Sequence, residues 1–221
     1  VAAAEVPVAA GVLLERPADA AAVGLHYPVI AKPNLEGSSK GIRRFSRAAD
    51  PAALRTAVEW LFAHYGGPVL VEEFVAGPEV TAAVFGQREP EVAALMLIRP
   101  RDGREDTFLY SLEVKRDWAR LIDYEVPPRL PPPALAALAD TARRAYRLLG
   151  CRDLARVDMR LAGDGRAVFL EANPLPGLSA TTGDFVIALR QSGWSYRAII
   201  ERLLAEARGR FGRVPATLRS A

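Results

Sequence analysis

The chain has 221 residues, half of them hydrophobic, a formal net charge of +3 and a single cysteine. That is enough apolar material for one core or two smaller lobes, and a lone cysteine excludes both an intrachain disulfide and a cysteine-based zinc cluster. No stretch approaches the roughly 20 consecutive apolar residues that a bilayer crossing needs, so no membrane partner is expected. The near-neutral body gives no reason to expect nucleic acid, and a reducing cytoplasm is the expected compartment.

The opening "VAAAEVPVAAGVLL" lacks a basic leader and an initiating Met, and reads as a fragment or processed start rather than a signal peptide. "VAAGVLLE" and "PVIAKP" are strand-like runs. "PAALRTAVEWLFAHYG" has helical apolar spacing, with Asp50 as N-cap and Pro51 at the first helical position. "PVLVEEF" then reads as a strand, so the first third predicts a small lobe of mixed helix and sheet. "EVTAAVFG" and "EVAALMLI" predict two strands around a turn at Gly86 to Pro90. The stretch from Arg99 to Pro133 is polar and irregular, suited to a substrate-facing loop. "VPPRLPPP" has too much proline for helix or inner strand and leads into the amphipathic helix "ALAALADTARRAYRLLG", stopped by Gly150. "SATTGDFVIALRQSG" and "SYRAIIERLLAEAR" predict two closing helices, the second capped by Ser195. The predicted organisation is a smaller lobe over 1–75, a larger lobe over 76–210 and a basic tail over 211–221. Cys151 reads as a small core residue, and the isolated His26 and His64 as surface or core histidines.

Before the closing helices, "ARVDMRLAGDGRAVFLEANP" predicts a hairpin. With Asp164 and Gly165 as the centre of a two-residue turn, Gly163 pairs with Arg166, Asp158 faces Glu171 and Arg156 faces Asn173. Strand alternation puts these four polar side chains on one face, and Val157, Met159, Leu161, Val168, Leu170 and Ala172 on the other. Facing carboxylates repel unless a cation sits between them. Arg156 can be that cation, giving an arginine-neutralised cluster. Alternatively, the two carboxylates and the Asn173 amide form an all-oxygen set suited to Mg2+. The four residues alone leave both readings open.

"PVIAKPNLEGSSKGI" places Lys32 at a strand end before a small, hydroxyl-rich loop, a composition suited to cradling phosphate. Neither the P-loop pattern nor the dinucleotide fingerprint is present. Glu72, Glu73 and Glu79 stand near strand ends, where carboxylates can accept from an adenine amino group and ribose hydroxyls.

Taken together, "AKPNLEGSSKGI", "VLVEEFVAGPEVT", "EVKRDW" and the hairpin resemble the ATP-grasp fold, and within it the D-alanine:D-alanine ligase family, over nearly the whole chain. The resemblance implies an α+β architecture of two lobes clamping ATP. It implies phosphate-binding roles for Lys32 and Lys115, with Ser38 and Ser39 in the loop over the γ-phosphate. It assigns Glu72, Glu73 and Val75 to the adenine side and Glu79 to the ribose. Asp158, Glu171 and Asn173 match the ligands of a pair of Mg2+ ions, with Mn2+ as an alternative, while Arg156 and the Gly177 N–H match the groups that stabilise an oxyanion. The implied reaction joins a carboxylate to an amine through an acyl phosphate, nominally D-alanine to D-alanine for peptidoglycan, with ATP consumed. The alternatives are a ligase for another amino acid or peptide, and a nucleotide-binding module without turnover. The family's N-terminal domain and one further lysine lie upstream of this chain's start, so a missing domain or a homodimer is expected to complete it. Arg116 stands where the family has tyrosine, Thr182 where it has serine, and Glu73 where it has lysine.

Overall fold

A computed structural model of the chain describes residues 6–37 and 39–211. It divides into two compact units. The larger contains Pro78–Ile98 and the chain from Tyr124 onward, joined by the segment ending at Pro7; the smaller contains Val8–Gly77 and Arg99–Asp123. The sequence reading drew one cut after residue 75. The units instead interleave, because Arg99–Asp123 returns to the smaller one.

In the smaller unit, strands β1 (Gly11–Leu14), β2 (Val29–Pro33), β3 (Arg47–Ala48) and, after helix α1 (Pro51–Tyr65), β4 (Val69–Glu73) form a sheet in the order β1-β4-β2-β3. All its pairings are antiparallel. Val29, Ala31, Val69, Val71 and Ala48 turn to α1 and meet Leu54, Ala57, Val58 and Leu61, all buried. The strand period of two then puts Ile30, Lys32, Arg47 and Glu72 on the opposite face. α1 begins where predicted: Asp50 Oδ1 accepts from the Ala53 N–H at 2.9 Å, and Pro51 stands at the first position, where no N–H is missed.

The larger unit holds β5 (Glu79–Gly86), β6 (Glu91–Pro100) up to Ile98, β7 (Ile122–Glu125) from Tyr124, α4 (Pro132–Leu148), β8 (Asp153–Leu161), β9 (Ala167–Asn173), α5 (Asp184–Gln191) and α6 (Tyr196–Phe211). Its strand order is β7-β6-β5-β8-β9. β5 is buried along its whole length because both faces are covered. Val80, Ala82 and Val84 pack with Leu138, Ala142 and Tyr146 of α4, whereas Ala83 and Phe85 pack with Phe185, Leu189 and Ile199 of α5 and α6. The Tyr146 hydroxyl, pushed above its usual pKa by burial, donates to the Gly86 carbonyl at 2.6 Å.

Four sequence expectations change. The stretch after Arg99 is not irregular: β6 runs to Pro100, and short helices α2 (Leu112–Arg116) and α3 (Trp118–Leu121) precede β7. α4 starts inside the proline run at Pro132, since a first turn has no N–H to lose. α5 begins only at Asp184, after Gly183 with φ +98°, so residues 179–183 are loop. The hairpin has a three-residue loop rather than two: Ala162 N–H donates to Arg166, and Gly165 takes φ +85°.

Gly41 closes the glycine-rich loop with φ +78°, and a Cβ there would lie 2.3 Å from Pro33 Cγ, inside any tolerable contact. Gly41→Ala is therefore expected to cost at least about 2 kcal/mol in urea unfolding, combining left-handed strain with overlap. Gly37→Ala, where nothing lies within 4 Å, should stay within about 0.5 kcal/mol of the parent.

Candidate functional site

The hairpin turn and a bulge offset one another. Near the turn Leu161 pairs with Ala167 and Met159 with Phe169, one residue away from the expected register. A β-bulge opposite Asp158/Met159 leaves Leu170 unpaired and restores Asp158 to Glu171 and Arg156 to Asn173. Ala167, Phe169 and Ala172 therefore pack on the core behind β9, in place of the expected Val168 and Leu170.

Three strands carry the polar face in register. Ala83 lies beside Arg156 and then Asn173; Thr81 beside Asp158 and then Glu171; Glu79 beside Arg160. The same face becomes apolar toward Phe85 and Leu154, where α5 covers it. The N-terminal turn of α5 delivers Asp184 to Arg156, at 3.7 Å between Nη1 and Oδ2.

Arg156 is the hub of this face. Its Nε reaches both oxygens of Asp158, at 3.1 and 2.9 Å, and its Nη2 reaches Glu171 Oε1 at 3.0 Å. The Thr81 hydroxyl donates to Asp158 Oδ1 at 2.8 Å, and the Tyr124 hydroxyl to Asp184 Oδ1 at 3.1 Å. Burial pulls the guanidinium pKa down, but the charges of Asp158 and Asp184 outweigh it and the pKa ends above the ordinary arginine value. The Asn173 Oδ1 accepts from the Leu175 N–H at 3.0 Å, fixing the amide at the strand end. Gly177 is exposed in the loop beyond, its carbonyl 2.9 Å from where a Cβ of Gly183 would lie.

The arginine-neutralised cluster is thus what these side chains form, and no group of three or more His, Cys, Asp or Glu is arranged as a metal site among the described residues. One guanidinium nevertheless faces the carboxylates of Asp158, Glu171 and Asp184, leaving net negative charge. Glu171 stays 45% exposed at the open side. Donor type and residual charge both fit a hard divalent cation. Asp184 and Thr81 were missed from sequence; for Asp184 the available signal was the Gly-Asp pair directly ahead of the apolar run "FVIAL".

Other expected residues acquire partners. Lys32 Nζ and Glu72 Oε2 pair at 2.6 Å on the open face of the smaller sheet. The Glu73 carboxylate accepts from the backbone N–H and ring of His26, which lower its pKa in that order. Its own N–H donates to Ala10. Half-buried Val75 follows β4. Ser39, at φ 58°, donates to the Tyr110 carbonyl at 2.9 Å; Ser38 lies outside the described residues. Lys115 sits on α2 with Nζ 4.7 Å from the Tyr110 ring centre. Glu79 pairs with the buried Arg160 at 3.0 Å.

Two antiparallel sheets backed by helices, one with a glycine-rich loop and the other with an acidic hairpin face, define an α+β fold of the ATP-grasp class. A family model described as the D-ala D-ala ligase C-terminus matches residues 12–205, and the chain belongs to that family. A D-alanine–D-alanine ligase from Desulforudis audaxviator is 40% identical over 186 residues, covering 84% of this chain and 57% of the relative. One from Moorella thermoacetica is 35% identical over 182 residues, covering 81% and 55%. The chain thus spans little more than half the length of these curated relatives. Among solved structures, a D-Ala:D-Ser ligase from Enterococcus faecalis superposes with TM-score 0.73 at 28% identity, over 92% of this chain and 58% of its own. The Coxiella burnetii D-alanine–D-alanine ligase, at 18% identity, matches in fold with TM-score 0.73 over 95% of this chain and 54% of its own.

Removing one partner of a buried ion pair strands the other charge. Glu79→Leu should therefore lower stability to urea by about 3–5 kcal/mol, and Glu79→Leu with Arg160→Met should recover most of it. A double variant no better than the single one would show that the pair's charge is not what the site costs.

Proposed function

We propose that this chain supplies the nucleotide-binding and catalytic portion of an ATP-dependent ligase that joins D-alanine to D-alanine through an acyl phosphate. The observation that carries this reading is the row of Arg156, Asp158, Glu171 and Asn173 on one face of β8 and β9, in a chain of this family. Phosphoryl transfer asks a protein mainly for positioning and charge neutralisation, and the residues divide along those lines.

The smaller unit contributes the cations for a triphosphate, Lys32 and Lys115, and the hydroxyl loop around Ser39 with Ser38. Glu72, Glu73 and Val75 are assigned to the adenine and Glu79 to the ribose. Lys32 and Glu72 must loosen their mutual pair to serve a nucleotide, so the pair holds both extended until ligand arrives. In the larger unit Asp158, Glu171 and Asn173 would hold Mg2+, which when bound supplies neutralisation of the phosphate charge. In the reaction a substrate carboxylate attacks the γ-phosphorus and ADP leaves. An amine then attacks the acyl carbon, and departure of phosphate leaves an amide. Arg156, oriented by Asp158 and Asp184, donates to the oxyanion formed in the second step, with the Gly177 N–H as the second donor. Arg116, exposed beside Lys115, favours a second reading in which the amine carries an acidic group.

The test is ADP and phosphate release from ATP and Mg2+ by the complete protein that carries this chain, with D-alanine, D-serine and D-aspartate as candidate amines. D-alanine should support release and yield the dipeptide; release with D-aspartate alone would select the second reading. Absence of amide product with every amine would remove the ligase assignment. Glu171→Gln should raise the Mg2+ concentration for half-maximal rate by about 10-fold or more, and an unchanged Mg2+ dependence would take Glu171 out of the metal set. Arg156→Lys, which keeps the charge but loses the fork, should lower kcat by about 100-fold.

A further inference from the structure

The chain between Asn173 and Asp184 carries no helix or strand, yet both of its ends are fixed to Arg156. Asn173 pairs with Arg156 in register, and Asp184 Oδ2 lies 3.7 Å from its guanidinium. The loop therefore leaves the polar row and returns to it. Gly177, within the loop, comes back against the far end: its carbonyl oxygen and Cα would lie 2.9 and 3.8 Å from a Cβ at Gly183, the residue next to Asp184.

Pro176 is buried and Leu178 packs half-buried against the core shared by α5 and α6, whereas Leu175, Gly177, Ser179, Thr181 and Thr182 are exposed. Backbone carbonyls of an exposed loop can be left to water, but here two are taken by side chains of the helices that follow. The Tyr196 hydroxyl, at the start of α6, donates to the Leu178 carbonyl at 2.9 Å. Arg190 Nη1, in the last turn of α5, donates to the Ala180 carbonyl at 2.9 Å. These bonds reach 18 and 10 residues back along the chain, so neither closes a helix or a turn. What they fix is the path of the loop. Both helices are seated in the core through Phe185, Leu189 and Ile199, which gives the clamp a rigid support.

An oxyanion donor works by being in place before charge develops. A loop N–H meets that condition only if the loop is held by neighbouring structure. We infer that Tyr196 and Arg190 are positioning residues for the oxyanion site: through the Leu178 and Ala180 carbonyls they hold the Gly177 N–H in place, and they serve amide formation rather than phosphoryl transfer. The inference rests on the ligase reading, in which the Gly177 N–H is the second donor to the oxyanion.

Two measurements on the complete protein that carries this chain test it. The first needs no turnover: nitrogen relaxation of the Gly177 amide. Its order parameter should be about 0.85 in the parent and fall below about 0.6 in Tyr196→Phe, which keeps the ring and removes only the hydroxyl, while β8 and β9 stay rigid. The second compares amide formation with positional isotope exchange of the oxygen that bridges the β- and γ-phosphates of ATP, which reports reversible phosphoryl transfer to D-alanine. Tyr196→Phe and Arg190→Gln should each lower kcat for amide formation by about 10-fold, part of the roughly 100-fold that loss of an oxyanion donor costs, and leave KM for ATP unchanged. Exchange does not pass through the tetrahedral oxyanion, so its ratio to amide formation should rise by about 10-fold. A Gly177 amide already mobile in the parent, or no more mobile in Tyr196→Phe, overturns the inference. So do variants that form amide at the parent's rate, or exchange that falls in step with amide formation. A parent that neither exchanges label nor forms amide, with D-alanine, D-serine or D-aspartate as amine, would instead remove the ligase reading and the inference with it.

Discussion

The arrangement of the larger unit rests on one guanidinium held among three carboxylates. Arg156 is buried beside Asp158, Glu171 and Asp184, which come from two strands and the start of a helix. Taken singly, Asp158 and Asp184 would be costly to bury, and Arg156 more so. Together they fix one another, and Thr81 and Tyr124 occupy further acceptor positions. A forked, permanently charged group is the side chain that can touch several carboxylates at once with defined geometry. The excess of negative charge around it leaves the face attractive to a further cation.

This face exists because the sheet is half covered. β5 turns Val80, Ala82 and Val84 to one side and, past Thr81, Ala83 and Phe85 to the other, so each side of the sheet needs helical cover over its apolar part. α4 covers one side, and α5 and α6 cover the apolar end of the other. α5 is short, and its first residue is the aspartate that meets Arg156. The helix that completes the core thereby also ends at the polar row and supplies its third carboxylate.

The smaller unit follows the same division of faces with a different outcome. One side of its sheet is consumed by α1, and the other presents Lys32, Glu72 and Arg47. The segment between β6 and β7 binds to the glycine-rich loop region through Leu112 to Ile42, Ser39 to Tyr110 and Arg43 to Glu113. These bonds set Lys115 in the same unit as the loop.

What the sequence alone determined follows from local rules. α1 was legible because its N-cap, first-turn proline and apolar spacing sit within one stretch, and β5 because its short, mostly apolar run ends at a glycine turn. The pairing of Asp158 with Glu171 and Arg156 with Asn173 was read correctly although the turn was not: the longer loop shifted the register by one and the bulge at Leu170 shifted it back. Without the bulge Glu171 and Asn173 would turn to the core side of β9, and burying them there is costly enough that the register had to return. The tertiary structure alone decided which groups met from distant positions. Asp184 joined Arg156, Glu79 joined Arg160, Lys32 joined Glu72, and the segment after Arg99 folded onto the smaller unit. Charge pairing depends on distances in space, and residue spacing along a chain carries that information only within a helix turn or a hairpin.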